Sequence, residues 1–260
     1  MKYILAILML LFAAAWAFAQ APSYTTNFPA TENPISQGGK WLNGKKNGIV
    51  FNDMQTTPGL AFGTAVSPSG CPQTPTDCTD NTAVLTGSWS ADQMAQGTVH
   101  TVNQTTGDGC TTFECGTIYE EVELRLRTTI TANSITGYEI NFRCTSNGSQ
   151  YQQIGKWLGP VGQFAAVGNA VQGPGLHNGD VVKATIVGNL ITVYINGVQV
   201  NQATDSTFPS GGSPGIGTFE INRGGATTTL SDFGFTSFTA AELGNTPPAP
   251  PTNLRITDIN

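Results

Sequence analysis

The sequence predicts an all-β protein folded as an antiparallel two-sheet β-sandwich, on three observations. After the first twenty residues almost no segment carries apolar residues at helical spacing. Short stretches of alternating apolar and polar residues recur, separated by clusters of Gly, Pro, Asn and Asp. Charged residues make up 11% of the chain, against about 25% in ordinary soluble proteins. Thr, Ser, Asn and Gly replace them, which suits strands with hydroxyl-bearing faces joined by many turns.

The first element is a leader. Lys2 precedes an apolar run from Ile4 to Phe12, small residues follow from Ala13, and Ala17-Phe18-Ala19 has the A-x-A form of a cleavage site. Residues 1–19 therefore read as a secretory signal peptide, and the mature product is expected outside the cytoplasm, extracellular or periplasmic. The apolar run is shorter than the roughly 20 residues a spanning helix needs, and no later segment approaches that length, so no membrane span is expected. Removing residues 1–19 takes away Lys2 and no acid, which moves the formal net charge from −6 to −7. That balance argues against a nucleic-acid partner, since phosphate binding needs concentrated Lys and Arg. Residues 20–240 are expected to form one sandwich domain, and 241–260, with Pro247-Pro248-Ala249-Pro250-Pro251, an extended Pro-rich tail.

Five cysteines, Cys71, Cys78, Cys110, Cys115 and Cys144, read as disulfide staples in an exported chain, with at least one thiol left over by the odd count or paired with another molecule. Cys71 and Cys78 bracket one loop and Cys110 and Cys115 another; either pair could close locally, or one of the latter could reach Cys144. Residues 65–82 and 103–117 are poor in apolar pattern and are expected to be long surface loops.

The strands follow in order. In 121–127, Val122, Leu124 and Leu126 form one face, and Glu121, Glu123, Arg125 and Arg127 the other. After a turn near Asn133, Tyr138, Ile140, Phe142 and Cys144 alternate with Glu139, Asn141 and Arg143. A register centred on Asn133 sets Arg127 opposite Glu139, Arg125 opposite Asn141 and Glu123 opposite Arg143, a cross-strand charge ladder. Residues 151–157, 215–222 and 232–239 are further strands. The clearest region is 181–201, where Gly188-Asn189 and Asn196-Gly197 supply the positive φ that two-residue hairpin turns need. The first turn pairs Ile186 with Ile191, Ala184 with Val193, Val182 with Ile195, Lys183 with Tyr194 and Thr185 with Thr192. The second pairs Ile195 with Val198, Val193 with Val200, Tyr194 with Gln199 and Thr192 with Asn201. One face of the meander is then wholly apolar.

Asp180-Val181-Val182-Lys183-Ala184 followed by Gly188-Asn189-Leu190-Ile191-Thr192-Val193-Tyr194-Ile195-Asn196-Gly197 resembles the late hairpin of concanavalin A-like, laminin-G-like jelly rolls. Ser213-Pro214-Gly215-Ile216-Gly217 and Asp232-Phe233-Gly234-Phe235 resemble that superfamily's penultimate turn and closing strand. Asn133-Ser134, Gly137 and Arg143 are similar to a segment of 3-keto-disaccharide hydrolase-type domains, although Ile135 and Thr136 intervene. The resemblance implies a jelly-roll sandwich over about 28–240, a fold that hosts lectins, adhesion modules, glycosidases and lyases. It also implies an optional structural calcium ion, for which Asp53, Asp108, Asp180, Asp205 and Asp232 are the oxygen-bearing candidates without a spacing that selects among them.

For chemistry, a glycosidase needs two carboxyl groups facing one cleft. Laminarinase-type sandwich enzymes carry E-x-D-x-x-E on one strand; Glu121-Val122-Glu123-Leu124-Arg125-Leu126 lacks the Asp and the second Glu. Glu123, Glu139 and Arg143 remain the catalytic candidates under the hydrolase resemblance. Sugar binding needs flat rings beside amides and charges, and Tyr151, Gln153, Trp157 and Tyr194 are the ligand-binding candidates, while Tyr138 falls on an apolar face and is expected in the core. The sequence thus favours a non-catalytic carbohydrate-binding or adhesion-type, lectin-like module acting at a glycan surface, with a glycoside hydrolase as the alternative.

Overall fold

The computed structural model describes residues 22–45, 51–65, 80–102, 118–131, 134–143, 150–160, 163–173, 175–222 and 229–244. The proposed signal peptide, all five cysteines, Asp108, Asn133 and nearly all of the Pro-rich tail lie outside them. Strands dominate: β1 (Ser23–Thr26), β2 (Trp41–Asn43), β3 (Met54–Thr57), β4 (Leu60–Gly63), β5 (Asp80–Leu85), β6 (Gln93–Thr101), β7 (Ile118–Thr131), β8 (Ser134–Arg143), β9 (Gln150–Gly159), β10 (Phe164–Ala166), β11 (Val171–Gln172), β12 (Val181–Val187), β13 (Leu190–Ile195), β14 (Val198–Thr204), β15 (Ser213–Asn222) and β16 (Phe233–Glu242).

They form two antiparallel sheets. The first runs β14-β13-β12-β6-β16-β4-β3, with β1 beside β16; the second runs β10-β9-β8-β7-β15-β5-β2, with β11 beside β9. Between them lies one continuous core, to which β7 gives Val122, Leu124 and Leu126, β8 gives Tyr138, Ile140 and Phe142, and the first sheet gives Val182, Ala184, Ile186, Val193, Phe235 and Phe238. Alternation places each of these inward, because successive side chains of a strand point to opposite faces. Among the described residues no helix is long and apolar enough to cross a membrane.

The first hairpin has the predicted register throughout, from Val182 opposite Ile195 to Ile186 opposite Ile191. The second holds only at its turn. Ile195 faces Val198 and Tyr194 faces Gln199, but a bulge then shifts the ladder, so that Val193 faces Asn201 and Thr192 faces Gln202. An extra residue at Val200 is what alternation alone does not reveal. Val198, expected inward, is 67% exposed on this edge strand.

The predicted β7–β8 register is displaced. Glu121 faces Arg143, Glu123 faces Asn141 and Arg125 faces Glu139, with the ladder shifting between Leu126 and Thr129. Arg127, at φ 48°, sits in this bulge. It leaves the charge ladder, and its guanidinium donates to the carbonyls of Ala91, Phe208 and Gly188 at 2.6, 2.7 and 2.7 Å. One smaller correction follows: residues 80–82, read as loop, begin β5. The strand expected over 215–222 is present, begins at Ser213 and pairs with both β5 and β7. The closing strand runs from Phe233 to Glu242.

Candidate functional site

The outward face of the second sheet carries the chemistry. Its register lays side chains in rows across neighbouring strands. One row is Val84, Gly215, Arg125, Glu139 and Gly155; the next is Thr82, Gly217, Glu123, Asn141 and Gln153; a third is Asp80, Phe219, Glu121 and Arg143. Because Gly215 and Gly217 have no side chain, Arg125 reaches across β15 to β5. Its Nη2 donates to Asp80 Oδ1 and Thr82 Oγ1, both at 2.9 Å, and also to the Glu123 carboxylate. Its Nη1 donates to Glu139, whose Oε2 also accepts the Trp157 indole N–H at 2.5 Å. Arg143 Nε donates to Glu121 Oε1 at 3.0 Å in the adjacent row.

These groups are buried. The Arg125 side chain is 0% exposed, and those of Glu123, Glu139 and Asp80 are 1%, 4% and 7% exposed. Three carboxyls around one guanidinium cannot all ionise cheaply away from water. Burial pushes Asp80 up to about 8 despite the attraction of Arg125. Burial likewise raises Glu123 well above the usual carboxylate range; Arg125 opposes this, and Asp80 and Glu139 add to it. Burial opposes the charge of Arg125, but Glu123, Glu139 and Asp80 outweigh it and hold the guanidinium protonated. Protons retained on Asp80 and Glu123 bring the net charge of the cluster toward zero.

A second apolar cluster lies on this outward face: Phe51, Val84, Ile130, Ile135 and Trp157, with Leu42 and Phe164 packed against it. Trp157 stands 4.8 Å from the ring of Phe51 and 5.1 Å from that of Phe164. Phe164 lies over Gly155, where a Cβ would come within 2.0 Å of the ring.

The structure therefore separates the residues singled out in the sequence. Glu123 and Glu139 share the Arg125 cluster, and Arg143 lies in the next row with Glu121. Tyr151 and Gln153 lie on the same face along β9, both half-buried, and the Tyr151 ring packs on Gly173, where a Cβ would come within 2.0 Å of it. Trp157, 7% exposed, is enclosed by Phe51 and Phe164 and offers no open ring face for stacking. Tyr194 is on β13 of the other sheet, with Lys183 Nζ 4.2 Å from its ring centroid, so it cannot join Tyr151 and Gln153 in one site. Sequence reading missed Asp80, Thr82 and Arg125 as cluster members. The only signals were an acid at the edge of an apparent loop and an arginine on a polar strand face.

Of the aspartates considered for calcium, Asp108 lies outside the described residues, and Asp53, Asp180 and Asp205 each have partners of their own. Asp53 accepts the Lys45 amide, Asp180 the His177 amide and the Asn196 side chain, and Asp205 bonds with Tyr138, Lys156 and Thr207. Among the described residues, the group of three acidic side chains whose ligand atoms lie within 4.8 Å of one another is Asp80, Glu123 and Glu139. The Arg125 guanidinium already sits among them, so that cluster does not fit a metal ion.

Neither a protein-family profile nor a curated protein sequence matches the chain. Solved structures do. The chain is similar to the GlcNAcα1-4Gal-releasing endo-β-galactosidase from Clostridium perfringens at a TM-score of 0.51 and 9% identity, over 85% of this chain and 62% of that one. It is similar to carbohydrate-binding module CBM66 from Bacillus subtilis at a TM-score of 0.46 and 14% identity, covering 80% of this chain and 95% of the module. It is also similar to β-agarase A at a TM-score of 0.47 and 9% identity, over 84% and 90%. The fold is a concanavalin A-like jelly roll, as the sequence resemblance implied. At this identity the likeness establishes the fold alone, and function has to be argued from the site.

Proposed function

We propose that the chain is a secreted, non-catalytic glycan-binding module that takes carbohydrate on the outward face of its second sheet, beside Tyr151 and Gln153. One contrast carries this reading. The carboxyls that a glycosidase would use, Glu123 and Glu139, are buried and held by Arg125, whereas Tyr151 and Gln153 on the same face reach solvent. Glycoside cleavage needs an acid and a second carboxylate flanking the scissile bond, with room for the sugar between them. Here a guanidinium fills that room. A phenol ring beside an amide supplies stacking surface together with a donor and an acceptor for sugar hydroxyls.

A glycan-array screen coupled to a reducing-sugar assay tests the proposal. Binding without turnover, lost in Tyr151→Ala and kept in Tyr194→Ala, is the expected result. Turnover abolished by Glu123→Gln would establish the hydrolase instead, and neither binding nor turnover would leave a purely structural surface protein.

A further inference from the structure

The ladder of β9 is irregular where β11 joins it. Val171 pairs with Gln152 and the next residue, Gln172, with Gln150, so Tyr151 has no partner on β11. This is the arrangement of a β-bulge, which leaves the extra residue unpaired and re-aims its side chain. Gly173 comes just past β11. A Cβ there would lie 2.0 Å from Tyr151 Cε1, 2.4 Å from Cδ1 and 2.6 Å from Cζ. One edge of the ring thus rests in the space that any other residue at 173 would fill, while Tyr151 as a whole stays half-buried, part of it open to solvent. The backbone itself does not call for a glycine here, because Gly173 lies outside the left-handed region. What the glycine supplies is room for the ring.

The groups in register with this ring favour an uncharged ligand. Gln153, two residues along β9, pairs with Asn141, and Asn141 pairs with Glu123. Asn141 Nδ2 donates to Glu139 Oε1 at 3.4 Å. Of the cations in the neighbouring rows, Arg125 is held by Asp80, Glu123 and Glu139, and Arg143 by Glu121. An acidic sugar would therefore approach carboxyl groups whose cations are already engaged, on a chain of formal net charge −6. Like charges repel, and a charge desolvated without a partner is costly. A ring beside an amide suits instead the apolar face and the hydroxyls of a neutral sugar.

We propose that Gly173 is a positioning residue: it seats the Tyr151 ring, re-aimed by the bulge, as the platform for an uncharged sugar. The inference rests on the glycan reading above and deepens it, by naming the class of sugar and the residue that aims the ring. A methyl group at 173 leaves the backbone unstrained but drives the ring from its seat. Because the ring is half-exposed, it can swing away at little cost to the fold. Stability is then kept while the platform is lost.

The test compares the parent with Gly173→Ala and Tyr151→Ala on an array of neutral glucans, galactans and mannans beside polygalacturonate and sulfated galactan. Ring-labelled tyrosine is followed by NMR in the same proteins. The parent should bind a neutral glycan with an affinity indifferent to salt, since no ion pair contributes. Gly173→Ala should keep the parent's melting temperature, move the Tyr151 ring resonance and leave that of Tyr194 in place. It should weaken binding about two- to tenfold, the scale of one aromatic contact. A lowered melting temperature with both ring resonances displaced would assign the glycine to folding and overturn the inference. Binding that needs Tyr151 yet is equal in the parent and Gly173→Ala, or that prefers the acidic polysaccharides, also overturns it and leaves the glycan reading standing. Binding indifferent to Tyr151→Ala, or none to any glycan, overturns both.

Discussion

Gly217 makes the space that Arg125 occupies: a Cβ there would lie 2.7 Å from Arg125 Nη2 and 2.3 Å from Glu123 Oε2. A strand in the centre of a sheet ordinarily gains from a side chain; this one gives it up so that a guanidinium can reach from β7 across β15 to β5. Gly217→Ala should therefore destabilise the fold by about 1–3 kcal/mol, the cost of overpacking a filled site, although the alanine has better strand propensity. Urea denaturation measures it, and an unchanged or higher midpoint would mean that the cluster tolerates the methyl.

Arg125→Met removes the cation that, among the described residues, bridges three buried carboxyls. Breaking a buried ion pair from one side costs about 3–5 kcal/mol, and that loss is expected near pH 7. It should shrink at pH 5, where the abandoned carboxyls take up protons more readily. Paired denaturation curves at the two pH values check this, and a loss independent of pH would assign the effect to packing alone.

The pH dependence of the unmodified chain follows from the raised acids. Burial, with lesser contributions from nearby charges, lifts Asp80 to about 8, Glu220 to about 8 and Glu120 to about 7 from ordinary values of 3.8, 4.5 and 4.5. The folded state then holds protons that the unfolded chain has released, so stability falls as pH rises between those limits. Asp205 works the other way: burial opposes its charge, but hydrogen bonds from Lys156, Thr207 and Tyr138 prevail and lower it to about 2, so its contribution is lost as pH falls through that value. The melting temperature should be highest near pH 4–5 and decline toward pH 8. A maximum above pH 7 would contradict this assignment.

Trp157 and Tyr151 should separate stability from binding. Trp157→Ala empties the space between Phe51 and Phe164 and removes the donor to Glu139, with an expected cost of about 3–5 kcal/mol. Tyr151, half-buried at the surface, should cost far less when truncated yet abolish glycan binding. Chemical denaturation and array binding of the two variants should give opposite rankings.

Much of the fold is legible in the residues. Arginine and glutamate at alternate positions of 121–127 announce a strand with an apolar inner face, and Tyr138 falls in the core as its parity predicts. What alternation cannot register is an added residue. The bulge at Arg127 is fixed by its surroundings: Gly212 approaches so closely that a Cβ would lie 2.2 Å from the Arg127 carbonyl carbon and oxygen, and Gln93 Oε1 accepts the Arg127 amide at 2.9 Å. Both partners are remote in sequence.

The same division holds for the candidate site. The sequence by itself determined the β12–β13 hairpin, its Gly188-Asn189 turn and the face each side chain takes, because a two-residue turn and a period of two are local properties of the chain. Only the tertiary structure decided that Glu123 and Glu139 are buried beside Arg125, that Trp157 is enclosed and that Tyr194 lies on the opposite sheet. Burial and charge balance depend on which strands become neighbours, and Asp80 reaches Arg125 only when β5, β15 and β7 lie side by side.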